Sequence, residues 1–396
     1  MTGSPTPNGK VIVHVFGRTD VGRTREHNED TFAVADLTAF NATLQPEVRT
    51  HVCGERGSLF MVADGMGGAA AGEVASQMAV ETILAELDAR WRQSQSTDSE
   101  TFAHALKAST ETANAKIHGY AAAHPENRGM GTTATIAGLL ADTLYLCQVG
   151  DSRGYIVRDG QAIQITKDQS LMQKLIEAGE LTPEEAEVSE RRNIILQALG
   201  PEAKIKVDLT SQQVKRGDVL ILCSDGLSGQ VRANEIADVV KSEPDLVNVC
   251  KRLIDLANEA GGPDNITVVA ARFEGEGLPD AGAESLAHRV YRGSQERPTV
   301  PLDRSSIPQL SALADDDDAP AEAPTVEAET LAPPKVAVGS AGRGPTAEIA
   351  PPTVRAKLPE PPPPGGRIPA NTLRIYFGAL AFLVAFVALF MWWRRG

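Results

Sequence analysis

Cysteine is scarce: the 396-residue chain has four, at positions 53, 147, 223 and 250, with no C-x-x-C pair among them. That spacing offers neither a disulfide framework nor a zinc ribbon. The simplest reading is buried thiols of a reducing compartment. His51-Val52-Cys53 and Arg56 do not compose the His-Cys-x5-Arg loop of a cysteine phosphatase, so Cys53 has no catalytic role. The seven histidines form neither G-D-x-H-G nor G-N-H-E, which excludes a calcineurin-like metallophosphatase. Positive charge is also short. The 38 Lys and Arg face 52 Asp and Glu, the net charge is -14, and a nucleic-acid partner is a poor fit. The glycine run from Gly65 to Gly72 is followed by no Gly-Lys-Ser/Thr, so it is not a P-loop. The first ten residues lack an apolar h-region; no secretory signal is expected and the globular part should be cytoplasmic.

What is present is organised around Leu59-Phe60-Met61-Val62-Ala63-Asp64-Gly65-Met66-Gly67-Gly68. It reads as a buried strand that ends in a tight loop and opens a helix. Asp64 at that exit needs a capping role or a cation, because an unpaired carboxylate among apolar residues is costly. The pattern recurs in Val219-Leu220-Ile221-Leu222-Cys223-Ser224-Asp225 and in Leu144 to Val149 followed by Gly150-Asp151. Three strands that each deliver an Asp suggest one convergent acidic site.

Composition divides the chain. Residues 1–10 read as a flexible terminus, 11–274 as one globular domain with ample length for a large core, and 275–370 as a Pro, Ala and acidic linker. Within the domain, strands are expected at Val11 to Phe16 and Thr31 to Ala35. Helices are expected near Gly72 to Trp91 and Ser99 to Ala123, and four strand-like segments between Gly131 and Ile165. Lys167 to Gly200 reads as a polar helical flap, with Thr182-Pro183-Glu184-Glu185 as a helix start. A strand at Lys204 to Leu209, the Asp225 strand, helices at Ala233 to Val240 and Asp245 to Glu259, and a strand at Ile266 to Phe273 follow. Blocks of strands and helices, not strict alternation, predict an α+β fold with antiparallel sheets.

Acids collect at the loop positions: Glu29, Asp30, Asp64, Asp151, Asp225 and Asp264. Without cations each close pair would cost on the order of 4 kcal/mol at an effective dielectric near 20. Ligation by oxygen alone, with no His or Cys, points to Mg2+ or Mn2+. A two-ion site can activate a water and aim it at phosphorus. Arg25, in the polar loop before these acids, offers a guanidinium fork for phosphate oxygens, although an exposed arginine is the commoner fate of the residue.

In order, Asp20-x-Gly22-x-x-Arg25-x-x-Asn28-Glu29-Asp30, Asp64-Gly65-Met66-Gly67-Gly68, Gly131-Thr132-Thr133, Gly150-Asp151-Ser152-Arg153, Ser224-Asp225-Gly226 and Pro263-Asp264-Asn265 closely resemble the metal-dependent type 2C serine/threonine protein phosphatases in their bacterial form. The resemblance spans roughly residues 10 to 273. It implies a central sandwich of two antiparallel β-sheets flanked by pairs of α-helices. It also implies that Asp64 bridges two ions, that the Gly65 carbonyl, Asp225 and Asp264 hold the first, and that Glu29 holds the second. Asp30 would order metal-bound water, Arg25 would bind substrate phosphate, and Asp151 with Asp225 would form the third-ion site of bacterial relatives. Gly131-Thr132-Thr133 and Asn265 would be structural supports. Two departures stand out. Met66 occupies the position where the eukaryotic branch has a candidate general-acid histidine, and Ser189-Glu190, not His-Pro, precedes the flap's Arg191-Arg192-Asn193.

Beyond the domain, a Pro-Thr-(Val/Ala) element recurs at Thr299, Thr325, Thr346 and Thr353, either by compositional coincidence or as phosphoacceptor sites. The linker's ends would average roughly 50 to 60 Å apart. Ile375 to Trp393 is an apolar run of bilayer-spanning length with Tyr376 and Trp392-Trp393 at its ends, flanked by Arg374 and by Arg394-Arg395; it is expected to be a single-pass anchor at residues 373–393. The expected protein is a membrane-tethered phosphatase using two Mn2+ or Mg2+ ions, with a metal-bridged hydroxide as nucleophile. Its expected substrates are phosphorylated proteins, among them membrane-bound Ser/Thr kinases and their targets. The alternatives are a phosphatase of a sigma-factor-type regulator and an inactive metal-binding module of the same fold.

Overall fold

The protein is described from a computed structural model, in which residues 9–40, 50–68, 71–280 and 286–291 are described. These belong to the first of two units, Met1–Ile307; the second, Pro308–Gly396, lies outside the described residues.

In chain order the strands are β1 (Ile12–Asp20), β2 (Asp30–Asp36), β3 (Thr50–Val52), β4 (Ser58–Met66), β5 (Gly131–Thr132), β6 (Ala134–Leu140), β7 (Thr143–Val149), β8 (Arg153–Arg158), β9 (Gln161–Gln164), β10 (Asp208–Gln213), β11 (Val219–Cys223) and β12 (Ile266–Glu274). The helices are α1 (Ala71–Leu87), α2 (Ser99–Ala123), α3 (Leu171–Glu177), α4 (Pro183–Glu187), α5 (Asp225–Ser228), α6 (Ala233–Ser242) and α7 (Leu246–Glu259). One sheet runs β3-β1-β12-β11-β8-β9; the other runs β10-β7-β6-β4-β2, with β5 paired to β4. All neighbouring strands are antiparallel, for example β1 on β12 and β4 on β6.

Three cores account for the layering. Leu59, Met61 and Ala63 of β4 pack with α1 and α2, whereas Phe60 and Val62 face the gap between the sheets. On the other sheet, Val219, Ile221 and Cys223 pack beneath α6 and α7, while Leu220 and Leu222 face the gap. With both faces covered, these strands read as unbroken apolar runs even though their sheets are antiparallel, where alternation is the usual signature.

Local chemistry sets the element ends. Asp98 caps α2 by accepting from the Thr101 N–H, Asp245 caps α7, and Thr182 with Glu185 forms the expected capping box on α4. After Leu87, α1 continues through one wider, π-type turn, Asp88–Arg92. The Arg56 guanidinium binds this turn and the following loop by donating to the carbonyls of Trp91, Ser94 and Ser96, and it lies 5.1 Å over the Trp91 ring.

Two boundaries differ from expectation. β10 is Asp208–Gln213, later than Lys204 to Leu209, because pairing with β7 overrides local propensity. Packing also continues past the expected domain end at 274: Leu278 and Leu286 are buried in the inter-sheet core, and Val290 bridges Thr210. Among the described residues no helix is long and apolar enough to cross a membrane. The expected anchor, most of the linker and its four threonines lie outside those residues.

Candidate active site

The period-two pleat explains where the acids gather. In β2, Val34 and Phe32 belong to the inter-sheet side; two residues further, Asp30 reaches its rim. Phe60, Val62 and then Asp64 do the same in β4, and Asp30 pairs directly with Asp64 in register. From the opposite sheet, Ser224 follows Leu220 and Leu222 on the same face. Its hydroxyl donates across the gap to Asp30 Oδ2 at 2.8 Å and accepts from the Thr267 N–H at 3.0 Å. Asp225 opens α5 immediately after, and its carboxyl is within hydrogen-bonding reach of Asp64. Asp151 stands in the loop between β7 and β8, and Asp264 just before β12.

Neighbouring groups hold each acid's backbone. The Asp64 N–H donates to Thr133 Oγ1, and the Asp64 carbonyl accepts from the Thr133 N–H and the Thr132 hydroxyl. Asn265 is the hub of the Arg25 loop. Its Oδ1 accepts from the Glu29 N–H at 2.8 Å while its Nδ2 donates to the Val21 and His27 carbonyls. Gly22 makes the approach possible, with φ of +81° and a position where a Cβ would lie 2.1 Å from the Asp264 carbonyl oxygen. The Glu29 carboxylate lies against the first turn of α1, so close that a Cβ on Gly72 would meet its Oε2 at 2.2 Å. The Gly65 N–H donates to the Glu29 carbonyl, which also accepts from the buried Ser76 hydroxyl.

The electrostatics are those of an acid cluster in want of positive charge. Burial holds the Asp64 carboxyl well above the ordinary range, and Asp30, Asp225, Asp151 and Asp264 push it further. Burial pushes Asp30 up to about 7 against the opposing bonds from Thr267 and Ser224. Asp151 is also pushed to about 7, by burial and then by Asp225 and Asp168. Asp225 is raised by burial and Asp264, and Glu29 by burial. Asp30 Oδ1 is buried without a hydrogen-bond partner. Arg25, half exposed, donates from one guanidinium nitrogen to Asp264 Oδ2 at 2.8 Å.

Every acid read from the sequence thus feels at least one of the others, with the Gly65 carbonyl among them. Among the described residues no group of three His, Cys, Asp or Glu side chains is already gathered into an ion cage. Mutual repulsion between like charges acts against a tighter cluster. Oxygen donors alone, their mutual repulsion and the orphaned Asp30 oxygen fit hard divalent cations such as Mn2+ or Mg2+. A hollow of 420 Å³ lined by His14, Thr50, Pro244, Arg272 and Glu274 shares no residue with this cluster.

A pH dependence follows for the ion-free protein. The folded Asp30 and Asp151 titrate near 7, well above their unfolded values, so the folded state binds more protons between those limits. Their contribution to stability is full below the unfolded pKa and is lost as pH rises through about 7. In EDTA the melting temperature should rise by several degrees between pH 8 and pH 6. A flat or falling profile would contradict the clustering.

Sequence reasoning missed the supporting hydroxyls. Ser224 had a signal, its place in Ser-Asp-Gly; Ser76 had none, being one small polar residue on a buried helix face. The ion pair of Arg153 with the buried Asp168, 2.8 Å, was likewise unanticipated. The thiols are inert: burial pushes Cys147, Cys223 and Cys250 to about 12 and Cys53 to about 11.

The family pattern described as Protein phosphatase 2C matches residues 48–267, more than half of the chain. A serine/threonine phosphatase, stp, of Listeria welshimeri is 38% identical over 258 residues, 65% of this chain and 94% of that relative. The crystal structure of the Mycobacterium tuberculosis serine/threonine phosphatase PstP/Ppp aligns with a TM-score of 0.56 at 36% identity, covering 66% of this chain and 99% of that one. A PstP catalytic domain in complex with two manganese ions aligns with a TM-score of 0.54 at 35% identity, covering 67% and 99%.

Proposed function

The chain belongs to the protein phosphatase 2C family and is a metal-dependent serine/threonine phosphatase, and on that premise we propose its mechanism and its location. The observation that carries the mechanism is the meeting of Asp30, Asp64, Asp151, Asp225 and Asp264, from five separate segments, at one rim of the inter-sheet gap.

Asp64, the Gly65 carbonyl, Asp225 and Asp264 would hold one ion, with Asp64 and Glu29 facing a second, and Asp151 with Asp225 a third. Bound ions supply neutralisation of the acids and an activated water that attacks phosphorus without a covalent enzyme intermediate. Arg25 grips the phosphate oxygens of the substrate, its fork turned from Asp264 toward the incoming anion. Asp30, held from one side by Ser224, keeps its second oxygen free to orient solvent. Met66 has no proton to give, so the leaving serine or threonine oxygen takes its proton from solvent. Addition of EDTA to the full chain should abolish hydrolysis of a phosphothreonine peptide, and Mn2+ in excess should restore it. Hydrolysis that survives chelation would overturn the mechanism.

The location rests on the apolar run Ile375 to Trp393, with aromatic residues at both ends and arginines beyond them. It would tether the phosphatase to the cytoplasmic face of the membrane, near membrane-bound kinases and their targets. The full chain should sediment with membranes and resist carbonate extraction, and three lysines placed within the run should release it. Release of the unaltered chain by carbonate would refute the anchor.

A further inference from the structure

The segment Leu286–Tyr291 does more than end the domain. Its backbone adds to the open edge of β10: the Ser211 N–H donates to the Arg289 carbonyl, and the Tyr291 N–H donates to the Leu209 carbonyl. Leu286 is buried in the inter-sheet core, and Tyr291 meets Tyr145 edge to face at a centroid distance of 5.5 Å. His288 Nε2 contacts Asp208 Oδ2 at 2.6 Å, at the first residue of β10.

Two residues before Asp208, Lys206 holds the neck of the flap. Its carbonyl accepts from Gln169 Nε2 and Gln197 Nε2, and its N–H donates to Gln197 Oε1 at 2.6 Å. Gln169 and Gln197 are the two ends of the flap and are bonded to each other at 2.8 Å. The neck is closed above them by Leu171 N–H to the Ile194 carbonyl and by Leu196 N–H to the Gln169 carbonyl. Gln169 also joins the neck to Gly150, beside Asp151. On the flap itself, Glu177 of α3 has its carboxyl held below the ordinary range first by Lys167, then by Gln173, with His288 among the more distant positive contributors. The flap's outer surface carries the exposed Val188, Ile194 and Leu196 beside Arg191 and Arg192. A protein substrate would reach that surface; a small aryl phosphate would not.

We propose that His288 is a positioning residue: through Asp208 and the start of β10 it steadies the neck of the flap, so that the strap Leu286–Tyr291 tunes how a protein substrate, but not a small ester, is held. This rests on the phosphatase reading. The test uses the full chain with Mn2+ and compares His288→Ala and Tyr291→Pro, which removes the backbone donor, with His288→Gln, which keeps a nitrogen donor toward Asp208. Hydrogen exchange should accelerate at least several-fold in the neck, residues 169–171 and 195–206, for His288→Ala and Tyr291→Pro. KM for a phosphoprotein should rise about fivefold at little-changed kcat, while kcat/KM for an aryl phosphate stays level. His288→Gln should recover both. Unchanged neck exchange in His288→Ala, or an equal loss on the two substrates, would overturn the proposal. Failure of the unaltered chain to hydrolyse either substrate would strike the phosphatase reading instead, and neck exchange alone would then decide the role of the strap.

Discussion

Asp64→Asn should lower kcat on a phosphothreonine peptide by on the order of 10³-fold, about 4 kcal/mol of barrier, at saturating Mn2+. The same variant should be more stable than the parent in EDTA. Asp64 is the acid on which the most others press: burial and four neighbouring carboxylates all disfavour its charge. An amide of nearly the same shape removes that repulsion and keeps the backbone bonds to Thr132 and Thr133. Activity and ion-free stability should therefore move in opposite directions, the signature of a site assembled for function against folding. Arg25→Ala supplies the contrast. Its side chain is 50% exposed and its one ion pair is with Asp264, so ion-free stability should shift by less than about 1 kcal/mol. KM should rise about tenfold with kcat largely kept, a loss of about 1.4 kcal/mol in substrate binding. Steady-state kinetics and thermal melts in EDTA check both variants. An Asp64→Asn protein with a tenth of the parent's activity would remove Asp64 from the mechanism.

The second large effect is on stability and lies far from the acids. Arg158 donates from Nε to Asp218 Oδ1 at 2.8 Å and from a terminal nitrogen to Oδ2 at 2.6 Å. The two side chains are 7% and 2% exposed. Asp218 also accepts from the Lys215 N–H, and Arg158 also donates to the Gln213 carbonyl, so this pair binds β8, β10 and the turn before β11. Removing one partner leaves a buried charge uncompensated, which costs about 3 to 5 kcal/mol. Asp218→Ala should accordingly lower the melting temperature by about 10 °C in a domain of this size. Arg158→Met combined with Asp218→Leu should recover most of the loss, because an apolar pair of similar volume escapes the desolvation cost. Activity per folded molecule should be unchanged. A double variant no better than the single would show that hydrogen bonds to the turn, not the paired charges, carry the stability.

Most of the site was legible because its residues obey short-range rules. Asp64 and Asp225 each follow an apolar run, and a strand's twofold period then determines the face they reach. α2 was legible to the residue because Asp98 announces its start, and the capping box at Thr182 did the same for α4. β10 was misplaced because Lys204 to Leu209 looks as strand-like as Asp208 to Gln213, and only pairing with β7 separates them. The strap was hidden for a related reason. Leu286, His288 and Tyr291 stand among Pro, Ala and acidic residues, where composition speaks for a linker, while the β10 edge that selects them comes from a segment nearly 80 residues earlier. Ser76 and Ser224 needed three-dimensional neighbours before their hydroxyls acquired meaning.

The strap has a mechanical side. Any pull on the chain beyond residue 291 reaches the Tyr291 N–H···Leu209 bond first and the Arg289 carbonyl bond to Ser211 next. Tension thus breaks the attachment one link at a time, like a seam opened from its end, and gives way at low force well before the sandwich yields.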